Sequence, residues 1–247
     1  MNGLLEPILA RMSTRSATMS KPTANRLGLF GGTFDPIHLG HLVLAESCRE
    51  ALQLDRVCFI VAGQPPHKPG SRTPVDHRIE MVRIATAGHS AFEVSEIETK
   101  GPGPNYSVET LESIRRDRPE DDLFFLIGAD SLADFPLWRR PDRIAELATI
   151  VVVNRPGIDP AVTNYPPDLG PNAHRIERVA IPPIGIASHE IRRRVAEGRS
   201  IRYQVPRGVE AYIQAAQLYR LGANDLTPPT NLERAGEVGA FQFEEIV

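Results

Sequence analysis

Apolar residues in this chain gather in short unbroken runs, separated by segments where they recur every three or four positions. The runs 27-LGLF-30, 56-RVCFIVA-62, 122-DLFFLIG-128 and 149-TIVVVNRPG-157 have strand length and no polar alternation. That is the mark of strands covered on both faces. The helical spacing lies between them. Residues 38–53 read as a helix with Leu42, Ala45 and Leu52 on one face and Arg49 as the exception. Residues 75–88 read as a helix on Val75, Ile79 and Val82, with Arg78 and Arg83 as surface residues, and 107–117 as one opened by Ser107 as N-cap. Residues 91–98 alternate and read as a strand, and 130–148 as a helical region broken by proline. The prolines of 179–187 suggest an interrupted or edge strand. Ser188 can cap a helix over 189–197 closed by Gly198, and Pro206 opens a last helix over 207–219. Apolar strands alternating with helices predict an α/β fold: a doubly wound parallel sheet, as a single domain.

The rest of the chain bounds that domain. The first 25 residues are rich in Ser and Thr with scattered Arg and Lys, and read as a disordered extension. Residues 221–247 carry Pro-Pro, Gly and acidic residues and read as a disordered tail, leaving 26–220 for the domain. No apolar run approaches the ~18 residues of a membrane span. With 41% hydrophobic residues, 24% charged residues and a net charge of −3, the chain can bury a sizeable core and lacks the basic patch of a nucleic-acid binder. The two cysteines, Cys48 and Cys58, sit in apolar contexts and read as buried thiols, and low cysteine usage fits the cytosol.

The chemistry points to 28-GLFGGTFDPIHLGH-41, where a strand runs through a glycine turn into a helix start. The free N–H groups and dipole of a helix N-terminus favour anions. The dinucleotide pattern GxGxxG is absent, and so is GxxxxGK[ST], because His41 follows Gly40. His38 and His41 are three apart and share a helix face, with Gly40 leaving room for a ligand beside them. Two capping or surface histidines would give the same spacing. Zinc is disfavoured, since HxxH alone lacks a third ligand and the acidic base of HExxH.

The whole string GGTFDPIHLGH closely resembles the signature of the HxGH nucleotidyltransferase superfamily, which joins a nucleotide to a phosphate-bearing acceptor. Four further stretches resemble the bacterial nicotinate-nucleotide adenylyltransferases: 65-PPHK-68, 104-PNYSVETL-111, 127-IGADSLADFPLW-138 and 186-IASHEIRRRV-195. The resemblance covers about residue 27 to residue 220 in unbroken order. It implies a Rossmann-like nucleotidyltransferase fold in the cytoplasm, with ATP and nicotinate mononucleotide as partners, no nucleic acid and no membrane. It leaves open a homo-oligomer. By that resemblance Gly31, Gly32, Thr33 and Phe34 line the pocket between the substrates, and His38 and His41, with Gly40 between them, meet the triphosphate. Gly128 and Asp130 hold the adenosine, while Ile186, Ser188 and Arg192 cover the adenine and grip phosphate. Trp138 stacks on the pyridine ring near Asn105, Tyr106 and Ser107, and His67 and Lys68 reach phosphate from their loop. One departure stands out: Ala187 and His189 replace hydroxyl residues of the family pattern, leaving His189 as a candidate phosphate donor.

The acceptor phosphate has its second pKa near ~6, so at neutral pH it is already a nucleophile and needs no general base. Catalysis then reduces to alignment and to charge stabilisation by His38, His41 and Arg192, with Lys68 secondary. Mg²⁺ would arrive with ATP, and no protein ligand is assigned to it. Asp35, before Pro36, reads as a turn residue. A pantetheine-phosphate adenylyltransferase or a cytidylyltransferase shares HxGH but lacks the set of PPHK, NYS and GxDxxxxxxxW. A nucleotide-binding regulator that has lost catalysis is the reading from another class.

Overall fold

The computed structural model describes residues 24–63, 73–101, 103–153, 175–182 and 184–220. Residues 1–23 of the predicted extension and the whole predicted tail lie outside them, while Asn25 already belongs to the fold, its carbonyl accepting from the Asp122 N–H over 2.8 Å. Among the described residues six strands form one parallel sheet: β1 (Arg26–Gly32), β2 (Arg56–Val61), β3 (Phe92–Ser95), β4 (Asp122–Gly128), β5 (Thr149–Val153) and β6 (Ile176–Val179). Among the described residues the helices are α1 (Leu39–Ala51), α2 (Val75–Thr86), α3 (Ser107–Asp117), α4 (Ala129–Asp134), α5 (Pro141–Leu147), α6 (Ser188–Ala196) and α7 (Arg207–Ala215), with short 3-10 turns at Ile97–Thr99 and Phe135–Leu137.

The sequence pattern dictates two cores. Successive strand side chains point to opposite faces. In β2, Val57, Phe59 and Val61 enter one core with Leu44 and Cys48 of α1, Met81 of α2, Ile191 of α6 and Val209 of α7. Cys58 and Ile60 enter the other, with Val108 and Leu111 of α3, Leu132 of α4 and Ile144 of α5. Both cysteines are buried, and burial pushes each thiol up to about 12.

Three expectations change. The buried face of α1 is His41, Leu44, Ala45 and Cys48, one position back from the expected Leu42, Ala45, Leu52 stripe. The stripe moves because His41 itself faces inward. The expected strand over 179–187 ends at Val179, because the prolines that follow cannot donate to a ladder. Ser107 and Ser188 are the first residues of their helices. The caps are Tyr106 and Ala187, with no side-chain capping bond at either.

The strand order β3-β2-β1-β4-β5-β6 places the site. The chain winds outward from β1 to β3, returns to the centre at β4 and winds outward the other way. Ligands in such sheets bind where the winding reverses, beyond the carboxyl ends of the strands. The register adds to this. Pairing between β1 and β4 stops at Leu29 with Phe125, although the strands continue to Gly32 and Gly128.

Candidate active site

The turn after β1 is shaped by an aromatic ring. Phe34 has φ 49, a left-handed conformation that bulky residues rarely adopt. Its buried ring meets Phe30, His41 and Phe59 at centroid distances of 5.6, 5.1 and 5.8 Å. A methyl group on Gly32 would lie 2.7 Å from Cζ of that ring, so Gly32 is the space the ring occupies. Phe34 thus floors the turn and backs the imidazole of His41.

His38 and His41 sit at the start of α1 as a stacked pair, centroids 3.6 Å apart and planes 22° from parallel. The His38 backbone N–H donates to Nδ1 of His41 over 3.1 Å. A nitrogen that accepts carries no proton, so the proton of the His41 ring belongs on Nε2, which is thereby a donor. His38 is 4% exposed; its ring takes the capping-box position toward the His41 backbone N–H, yet neither ring nitrogen completes a hydrogen bond of good geometry. Burial pulls its pKa down to about 3. An uncharged, unpartnered buried imidazole is costly to leave unsatisfied. An arriving anion would supply the missing partner and favour the protonated ring. Gly40 has a more local use than ligand access. A methyl there would lie 3.0 Å from Cε1 and Nδ1 of His38, so the glycine makes room for that ring.

The turn is gripped from outside. Arg192 donates from Nη1 to the Asp35 carbonyl over 2.7 Å, and the Ser188 hydroxyl donates to the Pro36 carbonyl over 2.8 Å. The single Ser188 proton is therefore committed to the turn. The Leu39 N–H donates to the Gln204 carbonyl over 2.9 Å. The start of α6 thus lies against the His38 turn, though 152 positions separate Ser188 from Pro36. Ile186 packs against the same core, and His189 is exposed on the first turn of α6.

Arg78 overturns its assignment as a surface residue. It is 2% exposed and donates to the carbonyls of Thr33, Ala62 and Thr73 at 2.8, 2.7 and 3.3 Å. Burial lowers its pKa, against the attraction of Asp35. The signal was present: Arg78 lies three after Val75 and four before Val82, on the buried stripe of α2. Tyr219 stands in no local motif of the sequence. Its hydroxyl donates to Oδ1 of Asp35 over 2.6 Å. Arg83 lies half exposed, paired with Glu96 and Glu80.

On the opposite face of the sheet, Tyr106 and Trp138 pack against one core cluster. The Trp138 ring rests on Phe125 and Phe135, centroids 6.1 and 5.5 Å away, and remains half-buried. Tyr106 and Ser107 stand at the N-terminus of α3, and the Arg139 guanidinium covers the Tyr106 ring at 4.5 Å. Asn105 lies against the end of β2: a methyl on Gly63 would be 2.9 Å from its Oδ1 and 2.1 Å from the Glu98 carbonyl. Beneath this loop the Glu98 carboxyl accepts from the Thr110 hydroxyl over 2.7 Å, and burial raises its pKa. Gly128 ends β4 and caps α4, and Asp130 follows within α4. The Asp130 side chain, and His67 and Lys68 altogether, lie outside the described residues. Among the described residues no group of three or more His, Cys, Asp or Glu is placed to hold a metal ion. Nor is any helix among them long and apolar enough to cross a membrane.

Known proteins share this organisation. The cytidylyltransferase-like family model matches residues 29–194. A protein of Thermomicrobium roseum, named a probable nicotinate-nucleotide adenylyltransferase, is 50% identical over 79% of this chain and 92% of its own length. One of the same name from Thermus thermophilus is 49% identical over 79% of this chain and all of its own, 100%. Among solved structures, the Plasmodium falciparum nicotinic acid mononucleotide adenylyltransferase complexed with NaAD superposes with a TM-score of 0.63. It is 17% identical, over 79% of this chain and 97% of that one, a likeness of fold.

Proposed function

The chain belongs to the nicotinate-nucleotide adenylyltransferases, and from that premise we propose that it transfers the adenylyl group of ATP to nicotinate mononucleotide, giving deamido-NAD and pyrophosphate. An oxygen of the mononucleotide phosphate attacks the α-phosphorus of ATP. The new P–O bond forms as the bond to the β-phosphate breaks, and pyrophosphate leaves with that electron pair. No proton need be removed from the nucleophile, because a phosphate monoester is largely a dianion at neutral pH.

The observation that carries this reading is the stacked pair at the sheet's switch point, with both ring nitrogens of His38 buried and unpartnered. The triphosphate lies along the start of α1, where the Nε2–H of His41 and a proton drawn onto His38 answer its charge. The remaining N–H groups of Arg192 face the same anions. Mg²⁺ belongs to the ATP substrate, where it offsets charge on the departing pyrophosphate. The adenosine lies toward Gly128, Asp130 and Ile186. The pyridine ring lies toward Trp138, with its carboxylate accepting from the backbone N–H groups at the start of α3. An amide in place of that carboxylate would present donors to donors. The cytoplasm is the matching compartment, in keeping with two buried free thiols.

The test is pyrophosphate release from ATP with nicotinate mononucleotide, nicotinamide mononucleotide and phosphopantetheine in parallel. Fastest release with nicotinate mononucleotide is expected. Preference for either other acceptor would overturn the substrate assignment, and no release with any would overturn the activity.

A further inference from the structure

The turn from β1 to α1 is held mostly through its backbone. Arg78, Arg192 and Ser188 all donate to main-chain carbonyls, those of Thr33, Asp35 and Pro36. The exception is the side chain of Asp35, which is 5% exposed and accepts from the Tyr219 hydroxyl over 2.6 Å. That length is at the short end of the O–H···O range. Tyr219 comes from the far end of the domain, beyond α7, 184 positions from Asp35. It is delivered by a strained stretch: Gln217 has φ 55 and Tyr219 has φ 63. A bulky residue in the left-handed region is costly and persists only where surrounding contacts hold it there. Its ring packs against the core that contains Phe34 and Ile37, and burial keeps its phenol protonated by raising its pKa.

The charge of Asp35 makes the contact informative. The site described above receives two anionic phosphates, and a carboxylate in its turn has the wrong sign. The structure engages that carboxylate with a neutral donor and sets Arg78 and Arg192 in the same neighbourhood. We propose that Tyr219 is a positioning residue of this active site, which holds the Asp35 carboxylate away from the substrates and so fixes the turn from Phe34 to His38. This rests on the adenylyl-transfer reading for its assay. It adds that the segment after α7 belongs to the catalytic apparatus, although Tyr219 touches no substrate.

A double-mutant cycle in the full chain tests it, with Tyr219→Phe, Asp35→Ala and both together. Tyr219→Phe is expected to lower kcat by at least about tenfold while each KM moves by less than about threefold. The double variant is expected to be no slower than Asp35→Ala alone, because the phenol acts through the carboxylate. A Tyr219→Phe enzyme with unchanged kcat overturns the proposal. So do losses that multiply in the double variant, or a fall in kcat matched by a collapse of the melting temperature. A crystal structure of ligand-free Tyr219→Phe protein reads the turn without substrate: displaced residues 33–37 support the proposal and an unmoved turn overturns it. Wild-type protein that releases pyrophosphate with another acceptor but not with nicotinate mononucleotide would fault the acceptor assignment alone.

Discussion

Replacing His38 by Phe should make the protein more resistant to acid and nearly inactive. Phe keeps a flat aromatic ring beside Gly40 and removes both nitrogens, at the cost of a slightly larger ring. Those nitrogens are buried without partners, and losing them is expected to raise stability at pH 7 by about 1 kcal/mol. The larger effect is on pH dependence. Burial holds the folded pKa at about 3, against 6.5 for the free side chain. A depressed value stabilises the folded state above the unfolded pKa, and that stability is lost as pH falls toward the folded one. From pH 7 to pH 5 the unfolded chain takes up about three-quarters of a proton at position 38 that the native protein refuses. Integrating that difference gives about 2 kcal/mol. The figure hardly depends on the folded value, so long as it lies well below 5. Urea unfolding of wild type and His38→Phe at pH 7 and pH 5 measures it, with the other histidines cancelling in the comparison. The gap in favour of the variant should widen by about 2 kcal/mol at the lower pH. Turnover should fall at least ~100-fold, the usual loss on removing a preorganised donor. A gap that stays constant would refute the reasoning, for it would mean that His38 is hydrated or charged in the free protein.

His41→Ala is expected to fold normally and to lose at least ~100-fold in kcat, measured by pyrophosphate release. Gly40→Ala should hold or gain stability, because alanine is the better helix former by up to ~1 kcal/mol. It should still turn over at least ~10-fold more slowly by displacing His38, and unchanged kcat would show that the ring tolerates the methyl group. Arg78→Lys should cost about 2–4 kcal/mol in denaturant unfolding, because an ammonium cannot span the three carbonyls that the guanidinium reaches.

Most of the sheet could be read from the chain, because the central parallel strands are apolar and buried at nearly every position after their first residue. The failures have local causes. In β6 only Val179 is fully buried and Glu177 and Arg178 are exposed, so Ile176–Val179 lacks the unbroken apolar run that marks the central strands. Histidine has the pattern of a polar surface residue, which shifts the expected face of α1, whereas His41 is buried against Phe34. In the candidate site, the glycine turn and the two histidines are close in sequence and meet in the structure. Contacts from afar leave no local trace. The Ser188 bond to Pro36 and the Tyr219 bond to Asp35 follow from how the last helices pack, which no short pattern encodes. Arg78 lies between these cases, since its place on an apolar stripe was legible and only its charge argued for the surface.

That contrast bears on why the site uses buried imidazoles where cations would bind phosphate more strongly. A permanent charge enclosed at the start of α1 would carry a heavy desolvation cost while no ligand is present. Arg78 escapes it by spending its donors on three carbonyls, which leaves it structural. His38 avoids it by being uncharged until an anion arrives. The triphosphate then shifts the proton equilibrium that supplies its own partner, so the cost of burying charge is met only in the loaded complex. Binding of ATP should therefore be accompanied by proton uptake near neutral pH. Calorimetric titration in buffers of different ionisation enthalpy would detect it in wild type, and His38→Phe should take up correspondingly less. Equal uptake by the two proteins would move the responding group elsewhere and leave His38 a neutral donor throughout.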